Sequence, residues 1–198
     1  MTSNYATQNE LLMKTLLEFY KDNSYLDKML DIINGKSKIS LRIIDWFATN
    51  YAKKYYTVYD IKKKNHFGKE ETQRFKVYMD YKQRLNGYSK RRFDPFCRWE
   101  RVIIPYDNNT SVQTTLGQLN FFKWAIEHNV LEYVEKNYKH IENDMNNRNS
   151  TAKRRVAKKG VPGSADTTPK TRKKREELSI SAAKTIKKEE IEIIIKFD

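Results

Sequence analysis

A mainly helical α+β domain is predicted by three observations on the sequence. Apolar residues recur at spacings of three and four over most of the first 145 positions, the signature of amphipathic helices sharing one core. Two short runs, "WERVIIPY" and "TSVQTT", flank the turn residues "DNN" and predict an antiparallel β-hairpin near 99–115. Aromatic residues reach 13% although apolar residues total only 38%, so the apolar content is concentrated rather than spread evenly.

The elements follow in chain order. Thr7 and Glu10 form a capping box ahead of Leu12, Leu16, Phe19 and Tyr20. Ser24 restarts a helix through Leu26, Leu30 and Ile33, and Gly35 ends it. "ISLRIIDWFATNYAKKYY" places Leu41, Ile44, Phe47, Ala48 and Tyr51 on one stripe, and "YTVYDI" then alternates like a short strand. "EETQRFKVYMDYKQRLNG" predicts a further helix, with Phe75, Tyr78, Met79, Lys82 and Leu85 on its stripe and Gly87 as its stop. At Asp94-Pro95 the proline ring disfavours the α conformation of the preceding residue, so no helix crosses it. Pro105 cannot donate to a ladder and marks an edge strand or a strand end. Thr115 and Gln118 cap "GQLNFFKWAIEH", and Leu131, Val134, Tyr138, Ile141 and Met145 predict a last amphipathic helix.

This organisation gives a folded domain over 1–147, a basic arm over 148–175 and a docking segment over 176–198. The arm has two glycines, two prolines and almost nothing apolar, too little to offset its ordering entropy, so disorder is expected there. In the last segment Ile191, Ile193, Ile195 and Phe197 alternate with Glu192, Ile194, Lys196 and Asp198, a strand pattern. Such a strand needs a sheet edge, the chain's own hairpin or a partner's. With Glu189 and Glu190 before it, it also resembles a SUMO-interaction motif, a pattern that many buried edge strands share, and docking on the protein's own hairpin is the simpler and favoured explanation.

The formal net charge is +14, which points to a polyanionic partner such as nucleic acid. The excess lies in two zones. Residues 36–106 hold eighteen basic and seven acidic groups, and residues 149–175 hold ten and one. No apolar run approaches the ~18 residues of a membrane helix, and the first residues lack a signal-peptide pattern. Cys97 is the single cysteine, so an intracellular, reducing compartment and no membrane partner are expected.

In the first zone, "YSKRRFDPFCRWERVIIPYD" sets four arginines and a lysine among five aromatic residues. Phe93, Phe96 and Trp99, spaced by three around Asp94-Pro95, are expected to be core. Lys90, Arg91, Arg92, Arg98 and Arg101 would then stand outward on a fixed frame, a phosphate-binding ledge rather than a base-stacking platform. In the second zone, Lys153, Arg154, Arg155, Lys158 and Lys159 form one cluster and Arg172, Lys173, Lys174 and Arg175 another. Each would grip phosphate by counterion release, and their spacing also resembles a bipartite nuclear-import signal. Both readings stay open, and neither gives sequence specificity.

Catalytic patterns are missing. The sequence has no glycine-rich phosphate loop, and His66, His128 and His140 lack metal-ligand spacing with each other or with Cys97. The carboxylates of the basic zone form no metal-binding arrangement. Neither cofactor, metal nor catalytic residue is expected. A DNA-processing enzyme would need carboxylates gathered by the fold.

The stretches "ISLRIIDWFATNYAKK", "FKVYMDYKQRLNGYSKRRFDPFCR", "TTLGQLNFFKWAIEHNVLEYV" and "ELSISAAKTIKKEEIEIIIKFD" resemble a family of small basic proteins from nucleocytoplasmic large DNA viruses. The resemblance covers about 36–145 and 176–198, and "FDPFCR" and "GQLNFFKWAI" are its most distinctive phrases. It implies a product acting in a eukaryotic host, in the nucleus, a cytoplasmic virus factory or the virion, and it brings no catalytic residue. The expected function is non-enzymatic association with nucleic acid, DNA ahead of RNA, through the ledge and the arm. The alternative is a minor capsid or cementing protein whose arm and terminal strand join neighbouring subunits, with capsid proteins or host import machinery as partners.

Overall fold

The computed structural model describes residues 7–64, 68–106, 110–158 and 187–190, with 64, 110, 149–158 and 187–190 described through their backbone alone. Helix α1 (Gln8–Phe19) begins at the expected capping box: Thr7 Oγ1 accepts from Glu10 N, and Glu10 Oε2 accepts from Thr7 N at 2.7 Å. Helix α2 (Asn23–Ile33) is capped by Asp22, whose carboxylate accepts from Ser24 N at 3.0 Å. It closes through Gly35 at φ 74°, with Lys36 N donating to Asp31 O and Gly35 N to Ile32 O. That pairing of the last carbonyls needs a left-handed residue, which glycine adopts without penalty.

Helix α3 (Leu41–Trp46) continues through a π turn (Phe47–Tyr51) into α4 (Ala52–Lys54), burying Leu41, Ile44, Phe47 and Ala48 on the expected stripe. Strand β1 (Val58–Lys64) confirms the short alternating run. Its partner corrects an expectation: residues 70–76 are strand β2 (Glu70–Lys76), antiparallel to β1 from Val58↔Lys76 to Lys64↔Glu70. Phe75 is the single apolar residue in "EETQRFK", so this stretch has no stripe to bury as a helix. As a strand it sets Phe75 beside Tyr59 and stacks it on His128 at 4.6 Å.

Helix α5 (Val77–Phe93) therefore starts later and also ends later than the glycine suggested. It passes Gly87, breaks at Ser89 (φ 66°, ψ 166°), and stops where Pro95 demands it, with Asp94 as its cap. Strands β3 (Arg101–Pro105) and β4 (Thr110–Thr115) form the expected hairpin, from Arg101↔Thr115 to Pro105↔Ser111. Pro105 ends its strand, as a residue without an N–H should. Thr115 Oγ1 then caps helix α6 (Leu116–Glu127) by accepting from Gln118 N at 3.2 Å.

Helix α6 is the centre of the molecule. Nine of its residues, Leu116 to Phe122 with Trp124 and Ala125, are buried, and α1, α2, α5 and helix α7 (Val130–Lys136) pack round it. A helix apolar on every side can only be an interior one. Its polar members are satisfied: Trp124 Nε1 donates to Asp80 at 2.7 Å, and Asn120 Nδ2 to Arg92 O at 2.9 Å. Tyr20 OH, buried beside it, donates to Leu119 O at 2.8 Å.

The last amphipathic run is two helices, α7 and α8 (Tyr138–Lys158), with Leu131, Val134, Ile141 and Met145 buried as expected. The backbone of α8 runs past the expected domain end at 147, so Lys153, Arg154, Arg155 and Lys158 stand on helix. Strand β5 (Lys187–Glu190) adds to β4 of the same chain, Thr110↔Glu190 to Gln113↔Lys187. Lys159, the cluster Arg172 to Arg175, and Ile191, Ile193, Ile195 and Phe197 lie outside the described residues. Among the described residues no helix is long and apolar enough to cross a membrane.

Candidate nucleic-acid interface

The segment 90–101 is held from below at several points. Asp94 N donates to Lys90 O at 3.0 Å, and the Asp94 carboxylate accepts from Phe96 N at 2.9 Å, a turn that reverses the chain before Pro95 can extend it. Leu116 N donates to Glu100 O, and Asn120 Nδ2 to Arg92 O, so the buried helix α6 grips the segment by its carbonyls. Gly117 fits beneath it so closely that a Cβ there would stand 2.6 Å from Asp94 O and 3.2 Å from Arg91 O. Glycine is required at this crossing for space rather than for torsion. On the other flank Asn9 joins two ledge residues, donating to Glu100 and accepting from Arg92 Nε.

On this frame the expected residues divide. Lys90, Arg91, Arg98 and Arg101 are exposed, and among the described residues none has a carboxylate within ion-pair distance. Arg92 is different: half-buried, it donates to Asn9 at 2.5 Å and to Gln8 Oε1 at 2.9 Å, so it fastens α1 instead of facing outward. Phe93 is fully buried against Tyr81, Phe121 and Trp124, as expected, and Phe96 is half-buried. Trp99 corrects the expectation. It is 68% exposed, with the Arg91 guanidinium over its ring at 5.7 Å. The turn at Asp94 spends the inward direction on Phe93 and Pro95, and three residues later the chain has left the core. A cation beside an exposed indole is a surface for a base as well as for a phosphate.

Two backbone strains bracket this surface, Ser89 at φ 66° and Glu100 at φ 58°. Non-glycine residues with positive φ are uncommon and cost on the order of 1–3 kcal/mol where the conformation is sparsely populated. Glu100 is held in its conformation from both sides, by Leu116 N on its carbonyl and Asn9 Nδ2 on its carboxylate.

Behind the ledge, Asp45 on α3 lacks a cationic partner among the described residues. Burial pushes its carboxyl up to about 7, and the negative charge of Asp94 adds to the shift. Asp144 on α8 is the opposite case. Burial alone would raise it, but hydrogen bonds from Lys54 Nζ (2.5 Å) and Trp46 Nε1 (3.1 Å) outweigh burial and hold it below its ordinary value. It lines an open groove of about 520 Å³ with Lys54, Tyr55, His140 and Arg148, already neutralised by its own ion pair. His128 is buried, its Nδ1 2.8 Å from Trp124 O and its ring on Phe75, and burial lowers its pKa, so it is a core histidine. Among the described residues no group of histidine, cysteine or carboxylate side chains is placed to hold a metal ion.

A second cation–aromatic surface escaped the sequence reading. Where α4 ends, Tyr55 and Tyr56 are 52% and 66% exposed, and Tyr56 has φ 48°. Lys54 Nζ lies 4.6 Å from the Tyr55 ring centroid, and Lys53 Nζ 5.5 Å from that of Tyr78 on α5. The one signal for it was "AKKYY", two lysines off the buried stripe followed at once by two tyrosines.

A mimivirus protein, "Uncharacterized protein L507" of Acanthamoeba polyphaga mimivirus, is 45% identical over 141 residues, 69% of this chain and 52% of that protein. The chain thus spans about half the length of the curated relative it matches, and the viral resemblance expected from the sequence holds. No solved structure matches. A family model matches residues 3–184, nearly the whole chain, so the protein belongs to DUF7197, a family of unknown function.

Proposed function

We propose that this is a non-enzymatic, nucleic-acid-associated protein of a large DNA virus, which grips the phosphate backbone through the ledge and the basic arm. The observation that supports it best is the set of exposed cations Lys90, Arg91, Arg98 and Arg101, unpaired among the described residues and mounted on a backbone fixed by α6. Cations on a rigid frame lose little freedom on meeting phosphate and release counterions from the polymer. The helical backbone under Lys153, Arg154, Arg155 and Lys158 carries the second cluster.

The test is binding of the full chain to duplex and single-stranded DNA between 50 and 200 mM salt. Affinity is expected to fall steeply, and replacing Lys90, Arg98 and Arg101 by alanine together should flatten the log–log slope by about 2–3, at ~0.7–0.9 per lost phosphate contact. An affinity indifferent to salt, or a slope untouched by the triple substitution, would remove the ledge from the function.

A further inference from the structure

Helix α5 connects the two cation–aromatic surfaces. At its start, Lys76 and Met79 lie beside Tyr56 and Lys53 around one shallow depression. At its end, Lys90 and Arg91 lead to Trp99. Between them the helix exposes Lys82, Gln83, Asn86 and Gly87. The one acidic residue of the helix, Asp80, is turned to the flank and occupied, accepting from Arg84 Nε at 2.9 Å and from Trp124 Nε1. The exposed face therefore carries cations and neutral polar groups with no carboxylate, and an exposed aromatic ring closes each end. From Met79 to Tyr88 it runs about 13–14 Å, and beyond the break at Ser89 the chain continues through Lys90 and Arg91.

We infer that this face of α5 is a track for single-stranded nucleic acid, with Tyr56 and Trp99 as stacking posts at its two ends. The inference rests on the proposed association with nucleic acid and names its strand form. Two features favour a single strand over a duplex. Flat exposed rings are of no use to paired bases, which are already stacked, whereas every unpaired base offers a face to them. The exposed residues Met79, Lys82, Gln83, Asn86 and Gly87 also fall at spacings of three and four, a line along one side of a helix and the width of one backbone. Tyr56 and Ser89 hold positive φ at the two ends of that line, so the posts and the last turn are set before any ligand arrives. At ~3.4 Å or more per nucleotide the unbroken part of the track holds roughly three to four of them.

The experiment measures fluorescence anisotropy of the full chain with a labelled twelve-residue oligothymidine, an abasic oligomer of equal length, and a duplex. The abasic strand has the same phosphates and no bases to stack. Oligothymidine is expected to bind about tenfold or more tighter than the abasic strand. Trp99→Ala and Tyr56→Ala should each weaken oligothymidine binding by about five- to a hundred-fold, with abasic binding unchanged and Trp99→Phe restoring most of the loss. Both residues are exposed, so thermal melts of the variants should match the parent. Equal affinity for oligothymidine and the abasic strand, or no effect of either alanine, overturns the track and leaves the phosphate-gripping function standing. Failure to bind any of the three at low salt overturns that function, and the track with it.

Discussion

Phe93 and Trp99 stand six residues apart in one aromatic, arginine-rich stretch, and they have opposite fates. Phe93 is sealed among Tyr81, Phe121 and Trp124, while Trp99 is 68% exposed under an arginine. The difference comes from what lies between them. Asp94 takes its own turn through Phe96 N, and α6 holds the carbonyls of Arg92 and Glu100, so the chain is led across the core and then out of it. Composition alone does not tell a core aromatic from a surface one; the backbone hydrogen bonds of the intervening residues do. The same stretch thus provides both a foundation of the fold and an exposed cationic rim.

The largest expected difference lies between these two aromatic residues themselves. Phe93→Ala should lose about 3–5 kcal/mol of unfolding free energy, the usual result of emptying a large buried aromatic site. Trp99→Ala should stay within about 0.5 kcal/mol. Urea midpoints of the two variants measure this directly, and similar losses from both would mean that Trp99 is packed after all.

Next in size is the crossing itself. Gly117→Ala would raise helix propensity by up to about 1 kcal/mol, yet its Cβ would meet Asp94 O at 2.6 Å. Backbone on both sides leaves no flexible side chain to yield, so the net is expected to be a loss of about 1–3 kcal/mol. A stabilised Gly117→Ala protein would show that the segment above α6 gives way easily and that the ledge is not rigid.

Asp45 links the two regions through pH. Its carboxyl is pushed up to about 7 in the folded protein, by burial first and Asp94 second, against ~3.9 in the unfolded chain. Between those values the folded state keeps a proton that the unfolded state has released, so stability falls as pH rises from about 4 to 7 and levels above that. Asp45→Asn cannot ionise and should gain on the order of 1–2 kcal/mol at pH 8, with no gain at pH 4. Chemical denaturation at the two pH values checks the sign, and a gain of equal size at both would assign the effect to packing.

How far the sequence revealed this arrangement depended on how local the deciding contact is. The capping box at Thr7, the close at Gly35, the stop at Asp94-Pro95 and the hairpin after Glu100 are all set by residues a few positions apart, and each was legible. Strand β2 was not, because its pairing with β1, six to eighteen positions back, is what makes it a strand, and its one apolar residue was equally compatible with the helix that follows. The exposure of Lys90, Arg91, Arg98 and Arg101 was expected from composition, but the outward placing of Arg92 and the core placing of Trp99 failed for the same kind of reason. Arg92 meets Asn9 and Gln8 across more than eighty positions, and Trp99 is outside because of where α6 holds its neighbours. The phrases "FDPFCR" and "GQLNFFKWAI" therefore describe the frame, with Gly117 at its crossing, more than they describe a site.

Arg91 and Arg92 make the smallest and most specific test of the distinction between frame and rim. They are chain neighbours of identical chemistry, so any difference between them is a difference of place. Arg92 donates to Asn9 and Gln8 and so ties the first turn of α1 to the segment that Asn9 also joins through Glu100. Removing it leaves the Asn9 carbonyl without that donor and frees the helix start, at about 1 kcal/mol. The exposed Arg91 guanidinium lies over the Trp99 ring, in water, where such a contact contributes about 0.5–1 kcal/mol at most. Arg92→Ala should therefore lower the unfolding midpoint while leaving the salt slope of DNA binding unchanged. Arg91→Ala should do the reverse, reducing that slope by a little under one while the midpoint barely moves. If the two variants behaved alike in both measurements, the frame and the rim would be one surface, and the inward tie of Arg92 would be available to ligand.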